Sequence, residues 1–204
     1  MKDLIQEKTK KGISFGEYKV LVESLLKENK TTGNNHSETY LQHTKMGLQR
    51  LKKWEKIARL SEQTKTQLDN LKGNYTWLVL VEAWCGDVGQ NLSTLYQIAQ
   101  QANIDLKIVQ RDENLDLMDQ FLTNGGRSIP KLIIINSDTS EVLGEWGPRP
   151  AHAQQRFLEA RDNSEIDNLE IQKEIHLWYA KNKQQDLQNE IVQLMLTVDR
   201  ERSI

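Results

Sequence analysis

Apolar positions in the first third of the chain recur at helical spacing. Tyr18, Leu21, Val22, Leu25 and Leu26 fall on one helix face. Ser14 and Glu17 have capping-box spacing at its start, and Lys30-Thr31-Thr32-Gly33-Asn34-Asn35 ends it. A second helix is predicted from near Ser37, with Leu41, Leu48, Leu51, Trp54 and Ile57 as its apolar stripe. A short third helix carries Leu68 and Leu71.

The period then changes. Trp77-Leu78-Val79-Leu80-Val81 is a continuous apolar run, the pattern of a strand covered on both faces. An amphipathic helix follows (Leu92, Leu95, Ile98, Ala99), then a strand at Leu106–Val109 and a helix with Leu115, Met118, Phe121 and Leu122. Two further strands, Lys131–Ile135 and Glu141–Trp146, flank a turn-like Asn136-Ser137-Asp138-Thr139-Ser140, and a helix begins around Pro150. The order is β-α-β-α-β-β-α. Helices between the first three strands predict parallel crossovers, and the final short turn predicts an antiparallel hairpin. From about Ser164 to Val198 helical spacing returns, through Ile166, Leu169, Ile175, Trp178, Leu187, Ile191, Leu194, Met195 and Val198. That stripe must bury against the core or against a second subunit. Three regions result: a helical extension at 1–72, an α/β core at 73–162 and a helical extension at 163–204.

Composition narrows the chemistry. With 37% hydrophobic and 27% charged residues among 204, the chain has an ordinary globular balance. A net charge of −2 gives no general attraction to nucleic acid or an acidic membrane. The charge is uneven, at +6, −5 and −3 across the three regions, so the basic N-terminal part could dock on the acidic middle. One cysteine, Cys85, excludes an intramolecular disulfide and a four-cysteine zinc site. The N-terminus lacks a continuous apolar segment of signal-peptide type, and the longest apolar run is too short to span a bilayer. The expected location is the cytoplasm. His36, His43, His152 and His176 are scattered without metal-ligand spacing, and no metal or cofactor is expected.

Trp84-Cys85-Gly86-Asp87-Val88 lies where the first strand turns into the next helix, and Ser128-Ile129-Pro130 precedes a later strand. Together with the strand order, these residues resemble the thioredoxin fold: a central mixed sheet of about four strands flanked by helices. The family motif is Trp-Cys-Gly-Pro-Cys. The resemblance implies that Ile129-Pro130 forms the cis-proline loop facing the cysteine, and that Gly147 is the glycine following the last strand pair. Glu82-Ala83-Trp84-Cys85-Gly86-Asp87, Leu122 to Lys131 and Trp146 to Pro150 are similar to a bacterial branch of this superfamily with helical extensions.

Cys85 is the candidate nucleophile. Its place at a helix start favours the thiolate, while the neighbouring Asp87 opposes it. Val88 stands where a dithiol enzyme carries its resolving cysteine. A mixed disulfide at Cys85 would therefore need an external thiol. Trp84, Gly86, Asp87, Ile129 and Pro130 are the candidate substrate-binding residues. Glu82 is a candidate proton acceptor or a structural acid. Arg111, Asp112, Arg127 and Arg149 either hold the carboxylates of a low-molecular-weight thiol or tie loops together as ion pairs.

Two functions follow as expectations. One is a one-cysteine thiol-disulfide oxidoreductase acting on a protein disulfide or a low-molecular-weight thiol. The other is a redox-silent protein-binding module, with the extensions as its interface or as a homodimer contact. A glutathione transferase fits less well, because its helical domain follows the core.

Overall fold

The computed structural model describes residues 1–162 and 167–201. Four helices precede the sheet: α1 (Lys2–Lys11), α2 (Phe15–Lys27), α3 (Glu38–Ile57) and α4 (Glu62–Asp69). The α/β unit runs β1 (Tyr75–Val81), α5 (Gly86–Gln101), β2 (Asp105–Gln110), α6 (Leu115–Met118), β3 (Lys131–Asn136), β4 (Val142–Trp146) and α7 (Ala151–Asp162). Two helices close the chain, α8 (Asn168–Asn182) and α9 (Gln185–Glu201). The predicted capping box is present: the Glu17 N–H donates to Ser14 Oγ, and the Ser14 N–H donates to Glu17 Oε2 at 2.8 Å.

The sheet order is β2-β1-β3-β4. β1 pairs parallel with β2, as the crossover through α5 requires. β3 runs antiparallel to β1, which corrects the expectation of a third parallel strand. The reason is the intervening helix. α6 has only four residues, too few to carry the chain back along the sheet for a parallel return. Phe121 and Leu122 fall outside it, and Leu122 is exposed. β4 completes the antiparallel hairpin, with a register shift between Ile134 and Ile135.

Trp77 to Val81 are wholly buried, as their unbroken apolar run predicts. The N-terminal extension reaches this core mainly through apolar side chains, since Ile5, Phe15, Tyr18, Val22 and Leu51 join the same cluster. Electrostatic docking is a minor part. Lys8–Asp116 (2.8 Å) joins the two regions, whereas Lys19–Glu55 and Lys52–Glu23 stay within the extension. Ile13 exchanges both backbone hydrogen bonds with Ile108, so the chain near its start covers the open side of β2. Ile57, expected in the stripe of α3, is exposed because that helix ends there.

α3 lies along α5 at close range. A Cβ on Gly89 would meet the Gly47 carbonyl oxygen at 2.8 Å, and one on Gly47 would meet the Ala83 oxygen at 2.7 Å. α9 buries Leu187, Ile191, Met195 and Val198 in the main core. Its polar groups clamp earlier loops: Gln188 accepts from the Ser61 N–H and donates to the Arg59 carbonyl, and Asp199 accepts from the Tyr75 hydroxyl. α8 buries Ile171, Ile175 and Tyr179 beside Ala160, while Leu169 is exposed. Ser164 and Ile166 lie outside the described residues.

Candidate functional site

β1 ends at Val81, and Glu82-Ala83-Trp84 turns the chain so that Cys85 caps α5. The Cys85 N–H donates to the Glu82 carbonyl at 3.1 Å, which fixes that turn. The thiol is half-buried and donates from Sγ to the Ile129 carbonyl at 3.2 Å. The Ile129–Pro130 and Gly147–Pro148 bonds are both cis. Ile129 and Pro130 are themselves buried, so they back the thiol rather than face solvent. Gly147 closes against them with φ of +126°.

Asp87 is held from two sides. Arg149 donates to its Oδ2 from Nη2 at 2.5 Å and from Nε at 3.2 Å, and the Tyr179 hydroxyl donates to its Oδ1 at 2.9 Å. Asn91 then donates to the Tyr179 oxygen at 2.9 Å. The guanidinium also lies 4.2 Å above the Phe157 ring. Burial alone would lower the pKa of Arg149, but the Asp87 charge outweighs it and holds it above its ordinary value. α8 is thereby tied to the first turn of α5.

A cavity of about 250 Å³ opens against this turn. Trp84, Cys85, Gly86 and Asp87 line it from the core, His43, Met46 and Arg50 from α3, and Ile175 and His176 from α8. The sequence reading brings the first four together. It does not include Arg50, and it assigns His43 and His176 no site, because their spacing fits no metal centre. No local pattern sets them apart: on α3, His43 and Arg50 share their helix face with Trp54 of the apolar stripe.

Glu82 is fully buried. Burial raises its pKa, opposed by the Thr32 hydroxyl and by the Asp112 N–H that donates to Oε1 at 2.8 Å. Its carboxylate thus joins Thr32, between α2 and α3, to the loop after β2. Arg111 pairs with Asp112 at 2.7 Å and Arg127 with Asp119 at 2.7 Å. Both arginines border a second, outer hollow on the far side of Trp84, away from the thiol cavity. Among the described residues no group of three or more His, Cys, Asp or Glu side chains is placed to hold a metal, and no helix is long and apolar enough to cross a membrane.

A family model described as Thioredoxin matches residues 33–165, well over half of the chain. The chain belongs to the thioredoxin family. No curated protein matches it. Among solved structures, a protein of unknown function from Pseudomonas aeruginosa, PA1234, superposes with a TM-score of 0.62 at 17% identity, over 94% of this chain and 96% of that one. An HIV epitope scaffold superposes with a TM-score of 0.54 at 18% identity, over 91% and 99%. These likenesses concern the fold. This thioredoxin-family chain departs from the two-cysteine motif at Val88, which is buried in the main core.

The electrostatics of the thiol are decided by burial. Desolvation first, and then the Asp87 charge, push Cys85 from an ordinary value near 9 up to about 12; the N–H groups of Val88 and Asp87 and the Arg149 charge pull the other way and lose. The folded state thus favours the protonated thiol. This contribution to stability is complete below about pH 9 and is lost as pH rises toward about 12. Burial also pushes the Tyr18 and Tyr179 hydroxyls well above their usual range, with the same sign. Urea midpoints are therefore expected to fall steadily between about pH 9 and pH 11, and Cys85→Ser is expected to flatten part of that fall. A midpoint unchanged over that interval would contradict the assignment.

Proposed function

We propose that this thioredoxin-family protein is a redox-silent binding module, with the α8-roofed cavity beside Cys85 as its ligand site. The observation that carries the reading is that Val88 is buried where a resolving cysteine would stand, in a chain whose one cysteine is Cys85; burial of the thiol supports it. With a pKa of about 12, roughly one thiol in 10⁵ is ionised at neutral pH. The higher nucleophilicity of a basic thiolate recovers only part of that deficit. No second cysteine exists to resolve a mixed disulfide. The polar network around Asp87 fixes α8 in place as the roof.

The one-cysteine oxidoreductase is the second reading, favoured by a specific arrangement. Cys85 stands at the N-cap of α5, where the Asp87 and Val88 N–H groups favour its thiolate without a side-chain cap bond, and it borders an open cavity. In that reading the Cys85 thiolate attacks a disulfide, releasing one thiolate and forming a mixed disulfide, and an external thiolate then displaces Cys85.

Alkylation of Cys85 followed against pH separates the two, together with a disulfide-reduction assay on wild type and Cys85→Ser. We expect the alkylation rate to rise about tenfold per pH unit from about pH 7 to 11 without a plateau, and no Cys85-dependent reduction. A plateau near neutral pH with Cys85-dependent turnover would establish the oxidoreductase instead.

A further inference from the structure

We infer that the cavity beside Cys85 is a site for a small organic monocarboxylate, anchored by Arg50. The inference deepens the binding reading above and rests on it. Its first support is the charge inventory of the walls. Arg149, the other guanidinium there, is fully engaged: Nε and Nη2 are on Asp87, and Nη1 donates to Gln154 at 2.9 Å. Arg50 makes no ion pair or hydrogen bond with any described residue, although it is half-buried. Burial disfavours its charge, and Asp87 offsets this only from a distance. A half-buried cation without a direct counter-ion is a costly arrangement that a bound anion would relieve.

The second support is position. Arg50 Nη1 lies 3.4 Å from where a Cβ on Gly86 would stand. The guanidinium thus sits at the N-terminal turn of α5, where helix N–H groups also favour an anion. The His176 ring closes the same corner, with Cε1 3.4 Å from the same point. Its Nδ1 has no hydrogen-bond partner among the described residues. Burial and the Arg50 charge lower its pKa to about 4, so it adds no second positive charge at neutral pH.

The ligand's class follows from number and shape. One uncommitted cation beside the Asp87 carboxylate matches a monoanion, and a dianion would meet like charge there. A planar guanidinium matches the two oxygens of a carboxylate. The remaining walls, Met46, Trp84, Phe157 and Ile175, suit an apolar body. At about 250 Å³ the space lies below the ~300–1,000 Å³ typical of drug-sized ligands, so the molecule is small, on the order of ten non-hydrogen atoms.

Three phenyl probes of similar size test this by calorimetry on the full chain: phenylacetate, its isosteric amide phenylacetamide, and phenyl phosphate with its tetrahedral, dianionic head. The expected result is that phenylacetate binds, with the amide and the phosphate each at least about tenfold weaker. Arg50→Gln should weaken phenylacetate roughly 10- to 100-fold and leave the amide unchanged, and Arg50→Lys, which keeps the charge, should fall between. Equal binding of acid and amide, or no effect of Arg50→Gln, overturns the carboxylate inference and leaves the cavity a neutral-ligand site. Tighter binding of the phosphate also overturns it. With none of the three bound, the inference and the ligand reading of the cavity fail together, and the alkylation result still decides the chemistry of Cys85 separately.

Discussion

Asp87→Ala will destabilise the protein by about 3–5 kcal/mol in urea unfolding, the usual loss when one partner of a buried pair is removed. Both side chains are largely buried, at 14% exposure for Asp87 and 12% for Arg149. The substitution strands the Arg149 guanidinium above Phe157 with only Gln154 as a partner. It also removes the acceptor of the Tyr179 hydroxyl, which ties α8 to α5. Asp87→Asn keeps an acceptor for Tyr179 but no charge for Arg149, so its loss should be smaller. Both variants should raise Cys85 alkylation at a given pH, because the second-largest cause holding the thiol up is gone. A loss below about 1 kcal/mol for Asp87→Ala would mean that the pair is not made in solution.

Gly147→Ala should cost a similar amount, about 3–5 kcal/mol, by a different route. The residue has φ of +126°, a region that side-chain-bearing residues rarely adopt. A Cβ there would also stand 2.1 Å from the Pro130 carbonyl oxygen. That obstacle is backbone, so no rotamer change relieves it. The chain must shift between β4 and α7, which displaces Pro130 behind the thiol and Arg149 beside it. Thermal unfolding of Gly147→Ala, with Gly125→Ala as a comparison, checks the argument. Gly125 also has positive φ, at +75°, but an added Cβ meets nothing within 4 Å. Equal losses in the two variants would assign the cost to φ alone.

The contrast between β1 and β3 shows what the sequence makes legible. Trp77 to Val81 announce a strand buried on both faces, and the length of α5 dictates its parallel partner. The direction of β3 is not written in its own residues, since Leu132 to Ile135 read the same either way. It depends on how little helix the preceding segment forms, and Phe121 and Leu122 extend an apolar periodicity that the chain does not follow. The site divides in the same manner. Trp84 to Asp87 form one local motif and can be read together. Arg50 and His176 reach the site only through tertiary packing of α3 and α8 on α5, which no local pattern encodes. Leu169 likewise fits the helical stripe of its segment but stays exposed, because α8 turns its buried face toward α7 and the Asp87 network.

The cavity walls come from four stretches of the chain: α3 near the beginning, the turn into α5, Arg149 just before α7 with Phe157 within it, and α8 near the end. None of them forms it alone. During synthesis the cavity cannot close until α8 has left the ribosome and Tyr179 has found Asp87. Its formation therefore belongs to the slow, long-range part of folding. Any molecule held there acts as a non-covalent staple between the two ends of the polypeptide. At a hundred times its dissociation constant it would add about 2.7 kcal/mol to the folded state, so occupancy would govern the lifetime of the protein as well as its binding.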